Sequence, residues 1–163
     1  MLTKPEKSRT MTLDRTDRGL IELLQQNGRM ANADLARAVH LSPTPCLRRV
    51  KALESTGVIT GYRAIVDRRK LGFGVRAFVG VTRDKSVDRR QLWHRMTTFP
   101  EVIGCYVISG EFDLLLDVIA KDLDAYSNSL LEKILSVPGI IQVRSMFVMK
   151  EVTEDDTLPV DSW

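Results

Sequence analysis

Two periods of hydrophobic spacing divide the chain. In LDRTDRGLIELLQQNGR, Leu13, Leu20, Ile21 and Leu24 fall on one helical face, with Asp14, Arg15, Arg18, Glu22 and Gln25 opposite, and Gly28 ends the run. NADLARAVH predicts a second helix of about two turns, with Asn32 as N-cap and Leu35, Ala36 and Val39 spaced for burial. A third helix is predicted to start at Ser42. Pro43 suits its first position, and Pro45 still lies in the first turn, where a missing N–H leaves no bond unmade. The prolines also stop the second helix from running into the third, because a residue before proline is pushed out of the α region. Leu47, Val50 and Leu53 are expected to form the buried stripe of this helix, leaving Thr44, Arg48, Arg49, Lys51 and Ser55 outside. Gly57 stops it, and VITGYRAIVD is expected to form a strand, or a strand pair turning at Gly61.

After the charged connector DRRKLG the period changes. VRAFVGVT, EVIGCYVIS, DLLLDVIA and IIQVRSMFVMKEV carry strand-like apolar runs, and VDRRQLWHRMTTF and LDAYSNSLLEKILSV carry helical ones. The order β-α-β-β-α-β is that of the ferredoxin-like split βαβ unit, with both helices on one face of an antiparallel sheet. The expected fold is therefore α+β: a helix-turn-helix, winged-helix-like domain over residues 11–60, a connector over 61–72 and a ferredoxin-like domain over 73–152. Residues 1–10 are expected to be a flexible basic arm and 153–163 an acidic, flexible tail. Phe78, Tyr106, Ile108, Leu115 and Ile119 are expected to make the second sheet face apolar too. Such a face predicts a homodimer packed sheet to sheet, with tetramers or octamers left open.

Charge sharpens the division. Residues 1–70 hold 14 Lys or Arg against 7 Asp or Glu, while residues 71–163 hold 10 against 14, within a chain whose net charge is only +3. A basic half beside an acidic half points to nucleic acid as partner of the first half alone. Cys46 and Cys105 are too far apart in sequence for a zinc spacing and suggest no disulfide framework. No apolar run reaches the roughly 18 residues of a membrane span, and the first ten residues lack a signal-peptide core. The expectation is a cytoplasmic protein with no membrane partner, no metal and no cofactor. His40 and His94 have no nucleophile or metal-ligand spacing near them, which argues against an enzyme.

A helix entering the major groove by its N-terminal end needs phosphate-binding groups at its start and forked donors one turn in. Ser42 and Thr44 suit the first task and Arg48 and Arg49 the second, with Lys51 a further outward basic residue of the candidate DNA-binding set. A helix trio with a merely solvated basic face is the plainer alternative. The runs LDRTDRGLIELLQQNGR and LARAVHLSPTPCLRRVKALESTGVITGYRAIVD resemble the N-terminal part of the Lrp/AsnC, or feast/famine, regulators. That resemblance implies dimeric binding to double-stranded DNA. Ser109-Gly110-Glu111-Phe112-Asp113 similarly resembles the family's effector loop, implying a small-molecule effector, an amino acid in the first instance. Asp113 then offers an acceptor for an ammonium, the backbone around Gly110 donors for a carboxylate, and Glu111 lies in the same turn. Ile108, Met146, Phe147 and Val148 are candidates for an apolar wall, although the last three are equally explained as strand core. An ordinary glycine turn with solvated acids is the alternative for the loop. Two other functions remain in competition: an RNA-recognition module, which lacks its stacking aromatics here, and an amino-acid sensor acting through protein contacts only.

Overall fold

The computed structural model describes residues 12–152 and 157–160; the proposed arm at 1–10, and the rest of the proposed tail, lie outside the described residues. Two compact units divide between Ile65 and Val66, with residues 157–160 belonging to the first.

The first unit contains α1 (Arg15–Gln26), α2 (Asn32–Ala38) and α3 (Pro43–Ser55). Leu20, Leu35, Ala36, Cys46, Val50 and Leu53 form its core. The stripe on α3 is thus Cys46–Val50–Leu53, and Leu47, expected inside, is 43% exposed. The spacing i, i+4, i+7 follows the helical face more closely than the i, i+3, i+6 read from Leu47, and Cys46 is apolar enough to fill it. Burial raises the Cys46 thiol pKa, so this cysteine serves as a small core residue. Asn32 is another correction. It lies inside α2, whose N-cap is Ala31, and its Nδ2 donates to the Pro43 carbonyl at 2.9 Å, joining the start of α2 to the start of α3.

The expected strand at 58–67 does not form: those residues pair with no strand, and Ile65 is 93% exposed. A lone extended segment has nowhere to place its ladder hydrogen bonds. Tyr62 is nevertheless held, its hydroxyl donating to Glu54 at 3.0 Å. Residues 157–160 are held as well. Gln25 and Leu158 exchange two hydrogen bonds, Leu158 N to Gln25 Oε1 at 2.6 Å and Gln25 Nε2 to Leu158 O at 3.1 Å, and Arg18 donates to the Val160 carbonyl. Residues 157–160 are therefore docked on α1, where a flexible segment was expected.

The second unit runs β1 (Val75–Arg83), α4 (Arg89–Met96), β2 (Val102–Val107), β3 (Leu114–Ala120), then α5 (Leu123–Ala125), a π-helical turn (Tyr126–Leu131), α6 (Glu132–Leu135) and β4 (Ile140–Phe147). All pairings are antiparallel, in the order β2-β3-β1-β4. Alternation along the strands sends Ala77, Val79, Val81, Leu114, Leu116 and Val118 to one face, where they are buried with Leu92, Met96, Leu130 and Ile134 from the helices. The other face is only partly apolar. Phe78, Tyr106, Leu115, Ile119 and Met146 share it with Arg76 and Asp117, paired at 2.8 Å. Ile108 lies beyond the end of β2 and belongs to the hairpin, not to the sheet face.

Candidate DNA-reading helix and effector loop

Helix α3 begins with its N-terminus open. Ser42 is the N-cap but makes no side-chain capping bond, and Pro43 takes the first helical position. Ser42, Thr44, Leu47, Arg48 and Lys51 are all exposed. Spacings of three and four residues put Thr44, Leu47, Arg48 and Lys51 on one strip of the helix. Neither Arg48 nor Lys51 has an ion-pair partner among the described residues. Leu47 is the residue that sequence reading missed: an exposed apolar side chain on this strip suits a thymine methyl group. The signal in the sequence was the i, i+4, i+7 spacing of Cys46, Val50 and Leu53, which turns Leu47 outward.

Arg49 departs from the expected outward set. Its Nη1 lies 2.6 Å from Asp14 Oδ2 and 2.8 Å from Asp17 Oδ1, so its guanidinium turns back onto the start of α1. The two acids also cap α1 reciprocally: Asp17 N donates to Asp14 Oδ1 at 2.8 Å, and Asp14 N to Asp17 Oδ2 at 3.3 Å. The Asp17 amide, followed by the Arg49 guanidinium, holds the Asp14 carboxyl below its usual pKa. The carboxylates of Asp17 and then Asp14 raise that of Arg49.

In the second unit the β2–β3 hairpin is half pinned and half free. Asp113 N donates to the Val81 carbonyl at 3.0 Å, and Asp113 Oδ2 accepts from the Arg83 backbone N–H at 2.9 Å. The Phe112 ring covers Gly80 so closely that a Cβ there would meet it at 2.6 Å. Arg144 also stands over that ring, its guanidinium carbon 5.6 Å from the centroid, and pairs with Glu111 at 2.6 Å. Between these anchors Ser109, Gly110 and Glu111 are exposed, and Gly110 has φ 129, which glycine adopts without strain.

Of the candidate wall residues, Ile108 sits in this hairpin, its N–H donating to the Asp113 carbonyl at 3.3 Å, whereas Phe147 and Val148 do not converge on the loop within one chain. Met146 and Phe147 point to opposite faces of β4, and Phe147 packs edge-on against Tyr126, with centroids 5.0 Å apart. Burial raises the Tyr126 pKa, partly offset by its hydrogen bond to Ser145. Phe147 and Val148 line an open cleft of about 320 Å³ with Val75, Arg76, Leu123 and Met149. Val148 donates its N–H to the Arg76 carbonyl, near the start of β1, whereas Asp113 is bonded at Val81. The offset of five positions from Arg76 to Val81 corresponds to about 17 Å of strand. Among the described residues no cluster of His, Cys, Asp and Glu is arranged to hold a metal ion, and no helix is long and apolar enough to cross a membrane.

Comparison with known proteins accounts for both units. Residues 13–60 match the model for winged helix-turn-helix DNA-binding, and residues 76–158 match that for the Lrp/AsnC ligand binding domain. The leucine-responsive regulatory proteins of Klebsiella pneumoniae and Escherichia coli K12 are each 37% identical over 150 residues, covering 91% of this chain and 92% of theirs. A transcriptional regulator of Neisseria meningitidis, solved as a complex with L-Met, superposes with a TM-score of 0.88 at 38% identity, covering 92% of this chain and 98% of that one. AsnC of Escherichia coli gives a TM-score of 0.82 at 28% identity, with 88% and 96% covered. With a reading-helix unit and a ligand-binding unit both matched, the chain belongs to the Lrp/AsnC family of DNA-binding transcriptional regulators, which are not enzymes.

Proposed function

We propose that this regulator binds a specific double-stranded operator through the exposed face of α3 and that a free amino acid modulates its binding or assembly. The observation that carries the DNA reading is the open strip of Thr44, Leu47, Arg48 and Lys51, with Ser42 at a helix start where backbone N–H groups favour a phosphate. The amino-acid reading rests on the exposed Ser109–Glu111 turn and on two structural relatives solved with methionine, the Neisseria meningitidis regulator and a feast or famine regulatory protein of Mycobacterium tuberculosis. In the working form two copies pack their mixed apolar sheet faces together, with tetramers or octamers built from such dimers in the cytoplasm. Effector contacts from the hairpin and from Met146 to Val148 then come from different copies, which agrees with their separation along β1.

Fluorescence anisotropy with duplex DNA and single-stranded RNA tests the first half. Preference for a selected duplex supports it, and equal binding to RNA removes it. A thermal-shift panel of the twenty amino acids tests the second, because a ligand that binds only the folded state raises the melting temperature. No shift with any of them at millimolar concentration removes the amino-acid reading.

A further inference from the structure

Arg48 and Arg49 are consecutive on α3, and a helix turns them about 100° apart. Arg48 takes the open strip. Arg49 takes a site built for it: Asp14 Oδ1 and Asp17 Oδ2 close the capping box, and the other oxygens, Asp14 Oδ2 and Asp17 Oδ1, hold Arg49. Asp17 is buried, with 7% of its surface exposed, so this is no chance pairing of mobile surface chains. The rest of the α1–α3 contact is apolar, made by Leu20, Cys46, Val50 and Leu53. Apolar packing is non-directional and fixes a helix's distance better than its rotation about its own axis. A rotation of roughly 20° moves side-chain atoms 5–6 Å from that axis by about 2 Å, enough to take a donor out of hydrogen-bond range of a base edge.

We infer that Arg49 is a positioning residue: anchored on Asp14 and Asp17, it sets the rotation of α3 that aims Thr44, Leu47, Arg48 and Lys51, and it does not itself touch DNA. This inference rests on α3 being the reading helix. It assigns the ion pair a part in sequence discrimination beyond its part in stability.

The test uses the full chain, a duplex selected by the parent protein from a random pool and a scrambled duplex of equal composition. Arg49→Met keeps the aliphatic stem and is expected to lower the selected-to-scrambled affinity ratio at least tenfold. Binding to scrambled duplex should keep its dependence on salt, since no phosphate contact is lost. Asp17→Asn should move the ratio in the same direction, the double variant should be no worse than Arg49→Met, and Arg49→Lys should recover part of the ratio. Asp14→Asn, at a more exposed position, serves if Asp17→Asn does not fold. A salt slope shallower by about 0.9, with Asp17→Asn binding as well as or better than the parent, would make Arg49 a phosphate contact and overturn the inference. So would a lowered melting temperature with an unchanged ratio. Arg48→Ala separates the two levels. If it leaves the ratio intact, α3 is not the reader; if it lowers the ratio and Arg49→Met does not, only the positioning inference falls.

Discussion

Arg48 and Arg49 on α3, and Glu111 and Asp113 in the β2–β3 hairpin, are like-charged near neighbours with different structural engagements. In the helix the division is set by angle: one arginine faces solvent, and the next is paired with Asp14 and Asp17. In the hairpin it is set by anchoring: Asp113 accepts from the Arg83 amide, whereas Glu111 pairs with the exposed Arg144. A charged residue is free for a ligand only when the fold does not already use it, and sequence spacing alone does not reveal that. The proposed reading strip is carried by a helix fixed on an apolar core, and the proposed effector turn by a hairpin fixed on β1, so disturbing either support tests how separately the units work.

The largest effect is expected on the support of the second unit. Arg76 donates to both oxygens of Asp117, at 3.0 and 2.8 Å, and to Glu151 at 3.2 Å. Arg76→Met leaves the buried Asp117 without its partner and should destabilise this unit by about 3 kcal/mol, the low end for a broken buried pair because Arg76 retains some exposure. Urea unfolding followed by Trp93 fluorescence reads it. An unchanged midpoint would show that solvent already satisfies the pair.

Gly80→Ala follows. Its new Cβ would meet the Phe112 ring, which must swing out and take Glu111 and Arg144 with it, at a cost of about 2 kcal/mol. If the hairpin senses effector, the ligand-induced melting shift should disappear while DNA affinity without effector stays the same. Loss of both together would mean the units are not separable in this way. Next is Arg48→Ala, expected to weaken binding to a selected duplex by about 1.5 kcal/mol, within the range for one base-reading arginine. Anisotropy titration measures it, and parent-like affinity would remove Arg48 from the contact set.

What the sequence made legible was periodic. Three helices, the β-α-β-β-α-β order and the start of α3 at Ser42–Pro43 all follow from spacing and from proline's missing donor. What it hid depended on partners distant in sequence. Cys46 displaced Leu47 from the core by a shift of one residue, about 100° of helical phase. Arg49 found Asp14 and Asp17, 35 and 32 residues away. Arg76 and Asp117 put a charged pair on a sheet face read as apolar, and Gln25 held Leu158, in a segment whose composition suggested mobility. The candidate effector residues were named together because the family resemblance grouped them, but strand alternation and the length of β1 keep Phe147 and Val148 apart from the hairpin residues Ile108 to Asp113 in a single chain.

The smallest effect concerns Asp14, where the comparison between pinned and free side chains can be followed by titration. Its folded-state pKa is lowered from 3.8, first by the Asp17 amide and then by Arg49, because both favour the ionised carboxylate. A lowered folded value means that the unfolded chain takes up this proton first as pH falls. The stabilisation is therefore present in full well above 3.8, and it is lost as pH drops from there through the folded value. Asp14→Asn keeps a competent cap and has no charge to titrate. Amide exchange in α1 and α3, compared between parent and variant from pH 6 downwards, should show a constant difference in protection until about pH 4 and a shrinking one below it. Because Asp14 is solvent-exposed, added salt should shrink the pH 6 difference too. A difference that ignored both acid and salt would mean that Asp14 holds α1 by its hydrogen-bonding shape alone, leaving the buried Asp17 as the charge that anchors Arg49.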